Sequence, residues 1–241
     1  MMTTWLDKTR CWIKHSDAKP LQALVNHAKA LRLVSLPRWR MVFATCYTLR
    51  QIVIGALHTC LRLCWWTPLF RAKVLGSCCR LYLYSGIPLI SGKLQLYVGD
   101  SCRISGHTTF SGRSDRHIEP VIYVGNNVDI GWRTTIAVGR RVELHDNVRI
   151  AGECFLAGYP GHPLDANKRA QGLPCEQQQV GDIVLQRDVW LATGVKVMAG
   201  VCIGEGTVVA AGSVVCTSLP AGVLAGGVPA RVIRRLSEGA A

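Results

Sequence analysis

Residues 185–219 read LQRDVWLATGVKVMAGVCIGEGTVVAAGSVVCTSL. Taken in sixes, an aliphatic residue opens every unit: Leu185, Leu191, Val197, Ile203, Val209 and Val215. A second apolar or small residue follows four places later: Val189, Val195, Val201, Thr207, Ser213 and Leu219. A helix would space its apolar face near 3.6 and a single strand near 2, so a strict six implies short strands joined by tight corners. Units this short bury nothing alone, and they point to a solenoid whose coils stack at about 4.8 Å per turn.

The same period runs upstream with interruptions. Val98, Ile104 and Phe110 are spaced by six, the first two within a β-like lead-in at residues 85–106, and a polar loop from Gly112 to Pro120 then breaks the pattern. Arg113, Asp115, Arg116, His117 and Glu119 lie in that loop. The sixes resume at Val124, Ile130 and Ile136, slip by two, and continue at Val138, Leu144, Ile150 and Leu156. Residues 158–182, GYPGHPLDANKRAQGLPCEQQQVGD, then leave the repeat altogether. So long an excursion in a regular solenoid belongs to a working face.

These residues resemble the hexapeptide-repeat acyltransferases, which fold as a left-handed parallel β-helix. The resemblance covers residues 95–235 and is densest in DVWLATGVKVMAGVCIGEGTVVAAGSVV and LAGGVPARVIR. In the maltose- and galactoside-type O-acetyltransferases of that family a His-Pro pair opens the long loop, with an Arg seven residues and a Gly ten residues after the His. Here His162-Pro163 is followed by Arg169 and Gly172. The resemblance implies that His162 is the catalytic base and that Asp165 and Arg169 belong to the substrate loop. It implies acetyl-CoA as acyl donor, with Trp190, Thr193, Ala211, Thr217 and Arg234 as its binding residues, and a homotrimer whose site is completed between subunits. No metal is expected.

The chemistry asks for such a base. A sugar hydroxyl is a poor nucleophile at neutral pH, and a positioned imidazole that takes its proton during attack on a thioester typically contributes about 10²–10⁴-fold. Two departures from the family stand out. Cys216-Thr217 replaces its Thr-Lys, and Ile130-Gly131-Trp132-Arg133 stands where the galactoside type has an Asn for the acceptor. The expected acceptor is therefore not a free sugar but a glycan hydroxyl of a cell-surface polysaccharide or lipid-linked precursor. N-acylation of an amino sugar would use the same base. A non-catalytic β-helix scaffold that binds membrane or a partner is the alternative from another class. His107, His117 and His145 are read as structural, since they lack the close spacing of a zinc-dependent carbonic anhydrase on this fold.

The net charge of +13 is uneven. Residues 1–80 hold thirteen Lys and Arg against two Asp, which leaves only +2 for the remainder. This third reads as helical, with one helix after Pro20 that ends before Pro37 and a second from about Arg38 to Trp66, bounded by Pro68. On the second, Arg40, Arg50, Gln51, His58 and Arg62 form a narrow stripe on an otherwise apolar surface. Arg50 at mid-helix disfavours a transmembrane span by about 2.5–3.5 kcal/mol. An anionic membrane surface met by residues 1–66 fits the pattern, and packing against the β-helix or neighbouring subunits is the alternative. Nucleic acid is not expected as a partner, because no recognised motif accompanies the charge.

The expected organisation is a basic helical region at 1–80, a mainly β acyltransferase domain at 81–236 and a short tail at 237–241. Eleven Cys without a CxxC pair, and no signal peptide with a clear cleavage site, favour a reducing cytoplasm, at or near the inner membrane face. Cys102 and Cys154 occupy the small inward position of the repeat.

Overall fold

Strands form where the sixes place aliphatic residues, and corners form between them. The computed structural model describes residues 7–8, 11–13, 15, 18–35, 37–114 and 119–236. The expected tail at 237–241 and His117 lie outside the described residues. From Tyr82 onward the chain winds as a left-handed parallel β-helix with three walls.

The first wall stacks β1 (Tyr82–Tyr84), β4 (Arg103–Ser105), β7 (Asp129–Ile130), β10 (Arg149–Ile150), β13 (Trp190–Leu191), β16 (Val208–Val209) and β18 (Val223–Gly227), closed by an antiparallel β19 (Ala230–Arg235). The second stacks β2 (Leu89–Ser91), β5 (Thr109–Gly112), β8 (Thr135–Val138), β11 (Phe155–Ala157), β14 (Lys196–Met198) and β17 (Val214–Val215). The third stacks β3 (Gln95–Val98), β6 (Val121–Val124), β9 (Arg141–Leu144), β12 (Ile183–Leu185) and β15 (Cys202–Ile203). From β1 to β14 each strand pairs with the strand three places on, so one coil contributes one strand to each wall.

Register confirms the repeat. Ile130, Ile150, Leu191 and Val209 stand in one column of the first wall, each a partner of the next and each buried. Burying each such side chain contributes about 1.5–3 kcal/mol. The second position of each six also points inward, from Val189 to Leu219. Where it is polar, its hydroxyl is paired: Thr207 Oγ1 donates to the Pro220 carbonyl and Ser213 Oγ to that of Ala210, both at 2.6 Å. Cys102 and Cys154 fill the same place, and burial pushes both thiols up from their ordinary pKa.

Between walls three and one, Asn127, Asn147 and Asp188 turn each coil with φ of 53°, 61° and 60°. This is left-handed backbone that Asn and Asp tolerate better than other side chains. Their side chains form a ladder: Asn127 Nδ2 donates to Asn147 Oδ1, and Asn147 Nδ2 to Asp188 Oδ1, each at 2.8 Å.

Every interruption of the period falls on one edge, between walls two and three. Residues 113–120 lie between β5 and β6, Gly139 and Arg140 between β8 and β9, and residues 158–182 between β11 and β12. Insertions there lengthen a corner without shifting any wall out of register.

The chain falls into two units, residues 1–53 and 54–241. In the first, α1 (Lys19–Leu33) has Pro20 in its first turn and no buried residue. Helix α2 (Arg40–Leu61) begins in the first unit and ends in the second. There it passes through a π turn, Arg62–Trp66, into α3 (Thr67–Arg71). The helix therefore does not stop at Trp66 before Pro68, as the sequence suggests. Proline lacks a donor and crowds the carbonyl four residues back, and the wider turn ahead of it provides the room. Phe70 and Val74 of this stretch join the β-helix core, covering its first coil.

Candidate active site

The long loop leaves the prism after Ala157 and returns at Ile183. Its root is held by main-chain bonds, Gly158 N to Ala137 O at 2.8 Å and Gly181 N to Gly158 O at 3.1 Å. Its far side is held by Arg113, which comes from the shorter loop two coils below on the same edge. Arg113 is 7% exposed. It donates through Nη1 to Gln177 Oε1 at 3.0 Å and through Nη2 to the Cys175 carbonyl at 2.8 Å. Cys175 and Val180 are buried beside it. The sequence marks Arg113 only as one more loop charge.

Within the loop, Asp165 caps the short helix α4 (Ala166–Ala170), accepting from Lys168 N at 2.8 Å. Arg169 turns back, and its Nη1 donates to the carbonyls of Pro163 and Leu164 at 3.0 and 2.9 Å. Gly172 follows with φ of +70°. Lys168 pairs with Glu176 at 2.6 Å, and this hydrogen bond raises the lysine pKa above its ordinary value. Asp165 and Arg169 thus build the turn that carries the His-Pro pair. Pro163 is buried in it and His162 is exposed. Among the described residues the His162 ring has no hydrogen-bond or ion-pair partner. Thr217 is exposed on the same edge, two coils on.

The other expected residues lie elsewhere on the prism. Trp190 is half exposed on the first wall. It borders a groove of about 460 Å³ with Tyr84, Arg103, Asp129 and Arg149. Arg103 pairs with Asp129 at 3.2 Å, and Tyr84 donates to the Ile130 carbonyl at 3.3 Å. Burial, followed by the Asp129 charge, raises the Tyr84 pKa. Thr193 and Ala211 are exposed on the edge between walls one and two, in successive coils linked by Gly212 N to Thr193 O at 2.9 Å. Trp132 lies on that edge lower down, half exposed, with the Arg133 guanidinium 5.4 Å from its ring centre. A Cβ at Gly152 would stand 2.4 Å from Trp132 Nε1, so glycine there lets the indole lie against the next coil. Arg234 is exposed on β19, its Nη1 bonded to the Arg235 carbonyl at 3.3 Å.

One protomer therefore gathers Trp190, Thr193 and Ala211 along one edge and its flanking wall, and sets His162 and Thr217 on another edge, with the second wall between. Of the remaining histidines, His145 pairs with Glu143 at 3.2 Å on the third wall, and His107 is exposed at a corner.

No family model matches the chain. It is 33% identical to the galactoside O-acetyltransferase of Escherichia coli over 141 residues, covering 58% of this chain and 64% of that protein. Against the galactoside O-acetyltransferase of Lactococcus lactis the identity is 30% over 143 residues, covering 58% and 63%. The chain thus spans less than two thirds of the length of these curated relatives. Among solved structures, AntD, an N-acyltransferase from Bacillus cereus in complex with dTDP and 3-hydroxybutyryl-CoA, superposes with a TM-score of 0.55 at 20% identity. That match covers 71% of this chain and 88% of AntD, and it shows the shared fold. In sequence and fold the chain resembles the hexapeptide-repeat acyltransferases.

Proposed function

We propose that the chain is an acetyl-CoA-dependent O-acetyltransferase that uses His162 as general base on a glycan hydroxyl. The observation that carries this reading is the built loop. Arg169 and Gly172 stand at the spacings of the sugar acetyltransferases, Arg169 clamps the carbonyls of Pro163 and Leu164, and the imidazole is exposed and has no partner among the described residues.

The neutral ring accepts the proton of the sugar hydroxyl as its oxygen attacks the thioester carbonyl. The new C–O bond makes a tetrahedral oxyanion, which backbone N–H groups of the coils meet. Collapse breaks the C–S bond, and the imidazolium returns its proton to the departing thiolate. The products are the O-acetyl ester and free coenzyme A. No covalent enzyme intermediate is needed.

Trp190 lines the acyl and pantetheine path, Thr193 and Ala211 contact the pantetheine arm, and Thr217 and Arg234 serve the donor's outer parts, the guanidinium at its phosphates. Thr193 and Ala211 occupy a different edge from His162, so we assign the site to a homotrimer, in which the loop edge of one subunit meets the donor edge of its neighbour. The acceptor we assign is a cell-surface or lipid-linked glycan precursor, acetylated at the cytoplasmic face of the membrane.

The test is calorimetric acetyl-CoA binding on wild type and His162→Ala, with thioester turnover followed in the same samples. Both proteins should bind, with turnover in the variant lower by about 10²–10⁴-fold. Equal turnover in the two removes His162 from the chemistry. Absence of binding to either leaves the β-helix as a scaffold.

A further inference from the structure

The long helix plays no part in the proposed chemistry. Over Arg40–Leu61 no side chain is buried, and Met41, Phe43, Tyr47, Leu49, Ile52 and Val53 are between 45% and 82% exposed. An apolar surface of this size marks an interaction site.

Three observations say what covers it. First, the helix closes off its own polar side chains. Thr45, Thr48 and Thr59 each donate Oγ1 to the carbonyl four residues back, at 2.9, 3.0 and 2.9 Å, and Gln51 Nε2 donates to the Tyr47 hydroxyl at 2.7 Å. Donors satisfied within the helix can enter an apolar medium without leaving a bond unmade. Second, the charge has one sign. Between Asp17 and Asp100 the sequence holds eleven Lys and Arg and no Asp or Glu. Third, exposed tryptophans mark both ends, Trp39 at 62% and Trp65 at 58% exposure, as in segments that sit at a lipid–water boundary.

We infer that the Arg40–Leu61 part of the helix Arg40–Arg71 docks in the plane of an anionic lipid leaflet. By length and composition it could also cross a bilayer. Two features argue for lying flat. Arg50 would otherwise stand in the hydrocarbon, among the most costly places for a guanidinium. Cations also flank both ends, Arg38 and Arg40 before the apolar stretch and Arg62, Arg71 and Lys73 after it, so a span would carry one cluster across the membrane against the inward bias of positive residues. In the flat arrangement Arg40 and Arg50, which lie within about 80° of arc at helical spacing, reach the lipid phosphates while the aliphatic and aromatic residues enter the acyl boundary.

The experiment is co-sedimentation of the full chain with vesicles of phosphatidylcholine alone and of phosphatidylcholine with phosphatidylglycerol, at low and high salt, followed by an alkaline carbonate wash. Selective, salt-sensitive and carbonate-extractable binding to the anionic vesicles is expected. Each of Arg40→Gln and Arg50→Gln should lower the partition coefficient about fivefold, since a cation near such a surface is worth about 1 kcal/mol. Acetyl transfer to a soluble glycan should be unchanged in both variants, so loss of docking and loss of catalysis are read separately. Equal binding to both vesicle types overturns the inference. So does resistance to carbonate, which would mean a spanning helix. The third adverse result is no vesicle binding together with an oligomer that Leu49→Glu and Ile52→Glu dissociate, which would mean that other copies of the chain cover the helix.

Discussion

Arg113 shows how one side chain can decide whether a loop is a tool or an appendage. Its two bonds reach Gln177 and the Cys175 carbonyl across more than sixty residues of chain. A buried hydrogen bond made by a charged group contributes about 1.5–3 kcal/mol. Arg113→Ala removes both, and the cost falls on the loop, because the strands pair without it. The expected result is a small change in melting temperature, faster amide exchange and proteolysis between residues 158 and 182, and a turnover loss without loss of acetyl-CoA binding. Unchanged loop exchange would mean that the root bonds at Gly158 and Gly181 suffice. Asp100 offers a contrast at the same scale. Hydrogen bonds from Ser77 and from Cys79 N hold its carboxyl below the ordinary carboxylate pKa. A depressed folded pKa makes its stabilisation complete above the unfolded value of about 3.9 and lost as pH falls through the folded one. Asp100→Ala should therefore melt earlier than wild type at neutral pH, with the gap closing in acid. A gap independent of pH would assign the effect to packing. The turn at His162 is legible in the sequence, through the spacing of Arg169 and Gly172 that shape it. Arg113 is not, because a buried arginine and a solvated one are written with the same letter.

Elements were legible where the period was strict. Every aliphatic residue that opens a six from Leu185 to Val215 is fully buried, because a six-residue unit returns the chain to the same inward direction at each wall. The corners were harder to read, since their order lies in contacts between coils twenty or forty residues apart. Asn147 accepts from Asn127 and donates to Asp188 while its own backbone is left-handed. Asn147→Gly keeps the backbone and loses the ladder. Asn147→Ala loses the ladder and adds left-handed strain of about 1–2 kcal/mol. In denaturant unfolding both variants should be less stable than wild type, the alanine variant by about 1 kcal/mol more than the glycine one. Equal stability would show that the ladder alone fixes the corner. The helix through Pro68 is hidden from the sequence for a related reason. Proline forbids a regular turn, and the π turn at Arg62–Trp66 that accommodates it carries no sequence mark, since the gain that favours continuing is the burial of Phe70 against the first coil.

For the whole molecule, the three interruptions at 112–120, 138–140 and 158–182 were visible as breaks, but only winding the chain shows that they share an edge. Coils differ in length, so the breaks carry no common spacing, and the shared edge follows from which wall each break succeeds. That edge carries His162, while Thr193 and Ala211 occupy another, and the second wall of the prism separates them. A single subunit cannot bring both to one thioester without dismantling its core, whereas a cyclic trimer can place unlike edges of neighbours face to face. Two measurements follow. Light scattering should give three times the 26.4 kDa chain mass. Mixing provides the sharper test: on the proposed assignment His162→Ala lacks its base and Ala211→Trp fills its donor path with an indole, so each should be inactive as a pure trimer. After unfolding and refolding together in equal amounts, a site is whole when its loop comes from the Ala211→Trp chain and its donor edge from the His162→Ala chain. Random assembly should then restore about a quarter of wild-type turnover. If both halves of the site came from one subunit, every mixed trimer would hold only defective sites, and turnover would stay at the level of the single variants.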